Sequence, residues 1–300
     1  MPSPKNKKIT VSVHNGTFHP DDVFAVAILS LYLGKEPVII RSRDPKDWAK
    51  AKYLFDVGGV YSPKNLKFDH HQESFKEKRK NGITYATAGL VWKQLGKKVA
   101  GSHEVYEKID KKIIQAIDAE DNGIELYKNN FKDISPYTFG DYVHALNPTW
   151  KEKGQGLKDF KDAVGEAKKI LIREIKRAKD SFLAEKIILD TYKKTKDKRI
   201  IVLNDQYSGW KRVLSKFKEP LFVIKPIFEN NNWHATAMNV EGFKFKNRLD
   251  FPKKWAGLAN GKLQKITGVP DALFCHTKRF IVAAKSKEGA IALAKLALKK

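Results

Sequence analysis

Short apolar runs alternate with longer stretches of helical spacing over the first third of the chain. Ile9-Thr-Val-Ser-Val13 is a β-branched run ending in a polar, glycine-containing loop, and Asp22 to Leu33 then reads as a mostly buried helix stopped by Gly34. Pro37 to Arg41 and Tyr53 to Val57 repeat the short apolar strand. A helical stretch from Pro45 to Lys52 lies between them, a pattern that predicts parallel βαβ units. Ligands in such sheets gather at the carboxyl ends of the strands. Thr84 to Leu95 predicts a helix packed through Ala86, Ala88, Leu90 and Val91. Val105 to Ile117 predicts another, with Ile109, Ile113, Ile114 and Ile117 near helical spacing.

From Leu157 to about Lys194 the pattern is helical and heavily charged, with no proline and one interior glycine. Beyond it the texture changes to short strands: Ile200 to Leu203, Leu221 to Ile227, His234 to Val240, Ala272 to His276 and Phe280 to Ala284. A closing helix follows from Glu288 to Leu298. The predicted fold class is α/β, with a parallel-sheet domain over 1–150 joined by a helical linker, 151–198, to a smaller α+β domain over 199–300. A length of 300 residues fits two lobes.

Composition narrows the chemistry. Apolar residues make up 42% of the chain, enough for burial to offset the entropy of ordering. Against 34 Asp plus Glu stand 58 Lys plus Arg, a formal charge of +24 that favours polyanionic partners such as nucleic acid. The same excess also fits a lysine-rich composition that keeps a protein soluble. Cys275 is the only cysteine, so neither an internal disulfide nor a thiolate metal cage is available. Any metal site must use histidine and carboxylate. The apolar run after the basic MPSPKNKK is too short for a signal-peptide core, and no stretch reaches the ~18 apolar residues of a membrane span. A cytoplasmic protein without a membrane partner is expected.

Four blocks supply candidate ligands. The loop after the first strand reads His14-Asn-Gly-Thr-Phe-His19-Pro-Asp21-Asp22, two imidazoles and two carboxylates within nine residues. Asp21 or Asp22 before an apolar helix also fits an ordinary N-cap. Asp56 ends a buried strand and precedes Gly58-Gly59, where backbone can approach a ligand closely. Asp69-His70-His71 follows the strand-like Leu66-Lys-Phe68. Adjacent histidines point apart in extended backbone, so one can ligate while the other faces a substrate phosphate, with Asp69 orienting an imidazole or reaching the metal. The last block, Asp118-Ala-Glu120-Asp121-Asn-Gly123, gathers acids at a helix C-terminus, where they oppose the helix dipole unless a cation is near.

These blocks in this order resemble the DHH phosphoesterase superfamily, and His-Asn-Gly-Thr-Phe-His, Asp-Val-Gly-Gly and Asp-His-His-Gln are similar to its Myg (melanocyte proliferating gene) family. In the second half, Phe245-Lys-Asn-Arg248-Leu, Pro252-Lys-Lys-Trp255-Ala-Gly-Leu258 and Phe274-Cys-His276 with Phe280-Ile281 resemble that family's C-terminal signature. The resemblance implies a two-lobe α/β hydrolase with two divalent cations, Mn2+ being typical and Mg2+ or Zn2+ the alternatives. It also implies 3′-to-5′ exonuclease activity on RNA or oligonucleotides.

By position, the resemblance assigns metal ligation to His14, His19, Asp21, Asp56 (bridging), His70 and Asp118 or Asp121. It assigns catalytic roles to Asp56, Asp69, His70 and His71, and phosphate contact to His71. His19 stands where the superfamily usually has an aspartate, and no Gly-Gly-His of nuclease relatives is found. Substrate binding is therefore expected to draw on Arg248 and His276 as well. Two further readings stay open: a nucleotide or pyrophosphate phosphoesterase, and a basic RNA-binding protein with a structural metal site. The oligomeric state is left between monomer and homodimer.

Overall fold

The β-branched run at the amino end becomes β1 (Thr10–Val13), followed by α1 (Pro20–Leu33), β2 (Val38–Arg41), the single turn α2 (Pro45–Trp48) and β3 (Tyr53–Phe55). A short β4 (Tyr61–Ser62) and β5 (Lys67–Phe68) complete the sheet, in the order β2-β1-β3-β5-β4. Pairing is parallel from β2 through β5, while β4 runs antiparallel to β5 as an edge strand the apolar pattern does not announce. The computed structural model describes residues 8–152, 156–243 and 246–299, so Phe245 lies outside the described residues.

Register decides where the chemistry collects. Val13 lies beside Arg41, Phe55 beside Phe68, and Val11 beside Tyr53. The residues that follow the three adjacent parallel strands, His14, Asp56 and Asp69, therefore emerge at one carboxyl edge.

Helix α3 (Thr87–Ala100) packs on α1 with Leu90, Val91 and Trp92 fully buried. It starts later than the apolar pattern suggests, because Thr84 bridges Lys78 and the Tyr85 N–H bonds Glu77. The helix expected over 105–117 is α4 (His103–Ile109) and α5 (Gln115–Asp121), joined by a π-turn at Asp110–Ile114 in which the Gln115 N–H reaches the Asp110 carbonyl. Next comes α6 (Phe139–Ala145), which the reading missed although Thr138 and Asp141 form a reciprocal capping box at its start.

Helix α7 (Gly156–Lys194) is the predicted charged helix. Two compact units, Met1–Ala178 and Lys179–Lys300, divide within it. Phe160, Ala163, Val164, Ala167, Leu171 and Ile175 recur at helical spacing and bury in the first core, whereas Ala184, Ile188 and Tyr192 bury in the second unit. The expected linker is thus, over these residues, a member of each core.

The second unit is built on β6 (Ile200–Val202), α8 (Trp210–Leu214), β7 (Phe222–Ile227), β8 (Asn232–Ala237), α9 (Asn260–Thr267), β9 (Ala272–Cys275), β10 (Ile281–Ala284) and α10 (Lys287–Ala297). Its sheet runs β6-β7-β8-β10-β9, antiparallel except for the β6–β7 pair, and α10 covers one face. The α/β class and the mixed second lobe agree with the sequence. Among the described residues no helix is long and apolar enough to cross a membrane.

Candidate metal centre

Each loop at the carboxyl edge of the first sheet is held by backbone bonds. The His14 Nδ1–H donates to the Asn15 carbonyl at 2.9 Å, which aims Nε2 inward. Arg41, from the end of β2, donates to the carbonyls of His14 at 3.3 Å and Gly16 at 2.6 Å and so pins this loop. Asp56 adopts a left-handed backbone, φ 56°, which costs energy in a residue with a Cβ and turns the carboxylate away from the strand line. Asp69 accepts from the Gly59 N–H at 2.7 Å through one oxygen and from both the N–H and Nδ1–H of His71 at 3.0 Å through the other. It orients His71 and the Gly58-Gly59 turn.

The N-terminus of α3 supplies the fourth wall. Its first N–H groups lack helical partners and carry partial positive charge, so they attract carboxylates. Thr87 and Ala88 donate to Asp21 at 3.1 and 2.6 Å, and Gly89 donates to Asp118 at 2.9 Å.

Donor atoms then converge. His14 Nε2 lies 3.2 Å from Asp22 Oδ2 and 3.4 Å from Asp56 Oδ2. His70 Nε2 lies 3.1 Å from Asp121 Oδ2 and 3.6 Å from Asp56 Oδ1, and His71 Nδ1 is 3.2 Å from that same Asp56 oxygen. Two groups of three, Asp56 with His70 and His71, and Asp21 with His70 and Asp121, each bring one ligand atom per residue within 4.8 Å of the others.

Yet His14 Nε2, His70 Nε2 and Asp22 Oδ2 are buried without a hydrogen-bond partner, so close neighbours do not satisfy one another. Atoms that point at a shared space rather than along a hydrogen bond are what a cation requires. The donor set of imidazole and carboxylate suits Mn2+, Mg2+ or Zn2+, so these residues fit a divalent metal.

The charges confirm the crowding. Burial opposes protonation of His70, but Asp121 and Asp56 outweigh it and lift the imidazole to about 10. Asp56 and Asp69 lift His71 to about 10, against a smaller opposing effect of burial. Burial, together with Asp121 and Asp56, pushes the Asp21 carboxyl well above the usual range, while Asp56 is held low by His70 and His71 in spite of its burial. Without a cation the surrounding carboxylates favour the protonated forms of His70 and His71.

Of the residues named from sequence, His14, Asp21, Asp56, Asp69, His70, His71 and Asp121 meet here, while Asp118, Arg248, His19 and His276 make other contacts. Asp118 joins neither ligand group: it is fully buried in an ion pair with Arg79, and its carboxyl rises to about 7 because burial outweighs that pairing. Arg248 spends its guanidinium on the carbonyls of Asn239, Phe217, Pro220 and Ser215, four bonds of 2.5–3.1 Å that leave little for a phosphate.

His19 is exposed at the start of α1, its ring 5.5 Å from that of His14, and joins neither group of three. His276, in the second unit, accepts from the Lys278 N–H at 3.1 Å and packs its ring at a tilt against Phe280. Asp22, left open between a cap and a ligand in the sequence, reaches the pocket. One of its oxygens caps α1 by accepting from the His19 N–H at 2.9 Å, and only the other faces His14. A cap at the start of α1 and a carboxylate near His14 looked like alternatives in sequence, and one side chain serves both.

A cavity of about 1140 Å³ lies elsewhere in the first unit, lined by Ile117 and Glu120 of α5 and by Tyr127, Tyr137, Phe139 and Tyr142, among others. None of the converging donors lines it.

Comparison with known proteins places the chain among relatives. The MYG1 exonuclease family model, described as uncharacterised protein family UPF0160, matches residues 10–298. The chain is 30% identical over 316 residues to a MYG1 protein of Dictyostelium discoideum, covering 95% of each. It is 28% identical over 320 residues to the MYG1 exonuclease of Homo sapiens, covering 96% of this chain and 85% of that protein. A solved pGpG-specific phosphodiesterase aligns over 97% of this chain and 99% of its own, with 12% identity and a TM-score of 0.32.

Proposed function

The chain belongs to the MYG1 family, and on that premise we propose that it is a metal-dependent phosphodiesterase acting as a 3′-to-5′ exonuclease on RNA or short oligonucleotides. The observation that carries this reading is the convergence of Asp56, His70 and His71, and of Asp21, His70 and Asp121, beside buried donor atoms that have no other partner. Bound divalent cations, two by the motif count and Mn2+ by resemblance, would polarise the phosphate and acidify water.

The chain's own residues do the rest. Asp56, with one oxygen toward His14 and the other toward His70, is the residue able to serve both halves of the pocket. His71 is the most exposed of these side chains, and Asp69 fixes its Nδ1, so its Nε2 is presented outward for a phosphate oxygen. Asp22 of α1 lies against His14 and Asp121 of α5 against His70, so each imidazole is held by a carboxylate.

Nucleic acid is favoured over pyrophosphate by the formal charge of +24. The test is product analysis on 5′-labelled RNA, dinucleotides and pyrophosphate with Mn2+, Mg2+ and Zn2+. Stepwise shortening of the labelled RNA from its 3′ end is expected. Cleavage confined to the dinucleotide or pyrophosphate would replace the reading with a small-molecule phosphoesterase, and salt-sensitive binding without cleavage would replace it with a binding protein.

A further inference from the structure

The acids of the fourth block, Asp118 and Asp121, sit three residues apart yet do different things, and the reason lies upstream in the π-turn at Asp110–Ile114. A π-turn inserts one residue into a helix and rotates everything after it by about 100°. Without that insertion Glu120 would occupy the place of Asp121, and Ile117 that of Asp118, which could neither accept from the Gly89 N–H nor meet a cation. The register of α5 is therefore a chemical choice, and something must hold it.

We propose that Arg79 is a positioning residue for the metal centre: it grips Asp110 and Asp118 on either side of the π-turn and thereby fixes the register in which Asp121 faces His70. The guanidinium pairs with Asp110 at 2.9 Å through Nη2 and with Asp118 through Nη1. It lies 3.9 Å from the ring centre of Tyr85 and is nearly fully buried. Its own loop is tightly closed, with the Arg79 N–H on the Ile83 carbonyl and the Gly82 N–H on the Arg79 carbonyl.

Two further bonds secure the same stretch. Gln115 donates to Asp110 at 2.6 Å across the π-turn, and Asn122 donates to the Thr84 carbonyl at 3.2 Å just past Asp121. Gly89 completes the fit, because a Cβ there would overlap the Asp118 carboxylate. Asp118 is thus the latch that Arg79 closes, and Asp121 is the ligand delivered.

The inference rests on His70 and Asp121 being metal ligands, so its test reads metal uptake and register rather than hydrolysis. Mn2+ binding to the full chain is measured by calorimetry, alongside melting in chelator and hydrogen exchange over residues 110–121. Arg79→Met is expected to weaken Mn2+ binding by about 10- to 100-fold, the range for residues that orient ligands, with Arg79→Lys recovering part of it. Asp110→Asn, which spares the Arg79–Asp118 pair, gives a smaller loss and serves should Arg79→Met fail to fold.

The decisive variant is Arg79→Met combined with Asp118→Asn, which removes the unpaired buried charge. It is expected to restore the melting temperature and leave Mn2+ binding weak and exchange over 110–121 fast. Recovery of both stability and Mn2+ affinity in that variant, or wild-type affinity in Arg79→Met alone, would reduce Arg79 to a purely structural ion pair. A wild-type chain that takes up no Mn2+ would end the metal reading, and this inference with it.

Discussion

Around Arg248, in the second unit, four N–H groups meet four backbone carbonyls, and around His70, in the first, a raised imidazole sits among carboxylates with its Nε2 unsatisfied. Both are basic side chains drawn at least partly away from water. One is finished by the fold, since its bonds tie the stretch after β8 to the connection between α8 and β7. The other is left open, and burying an unfinished polar group costs about 1–3 kcal/mol unless something further completes it. Between these two side chains, saturation separates scaffold from site.

That contrast can be broken most severely at Asp56. Asp56→Asn keeps the shape and tolerates the left-handed backbone, so the chain should still fold in chelator, while Mn2+-dependent hydrolysis should fall by about 10³-fold or more, as when a group stabilising developing charge is removed. Unchanged rates in steady-state assays would refute the pocket as the catalytic centre.

The reverse pattern is expected at Arg248. Arg248→Met strands four carbonyls and should cost about 3 kcal/mol in denaturant unfolding, with Mn2+ affinity intact. Lost phosphate binding at full stability would instead restore the role first read from sequence.

The smallest effect is a pH dependence. His70 and His71 are raised from 6.5 to about 10 in the folded, cation-free protein, so they bind more protons folded than unfolded across that window. Their stabilisation is complete below pH 6.5 and is lost as pH rises toward 10, discounted for His71 by its exposure. Melting in chelator should fall over that range while Mn2+ affinity climbs, because the cation must displace those protons. His70→Gln should flatten both curves.

The opening of the fold was legible because β1, α1, β2 and β3 are apolar runs set off by polar, glycine- or proline-containing breaks, and the four ligand blocks lie at strand or helix ends as expected. The π-turn was not, since moving one backbone bond from i−4 to i−5 leaves no mark on composition. The start of α3 was blurred because Thr84 and Tyr85 are good apolar-helix neighbours in sequence but are claimed by the loop around Arg79. Asp118 and Asp121 could not be told apart without knowing which one an arginine 39 residues upstream would seize. Arg248 was misread for a related reason: a guanidinium's partners, when they are carbonyls, are invisible in side-chain lettering.

The left-handed turn at Asp56 has a consequence for how this chain can drift. Few side chains accept that backbone, and the β-branched ones accept it least. Asparagine and glycine are the exchanges it admits at low cost, and neither carries a negative charge. Selection at this position is thereby narrowed twice over, so a library randomised there should return aspartate under selection for hydrolysis and widen only to asparagine and glycine when folding alone is demanded.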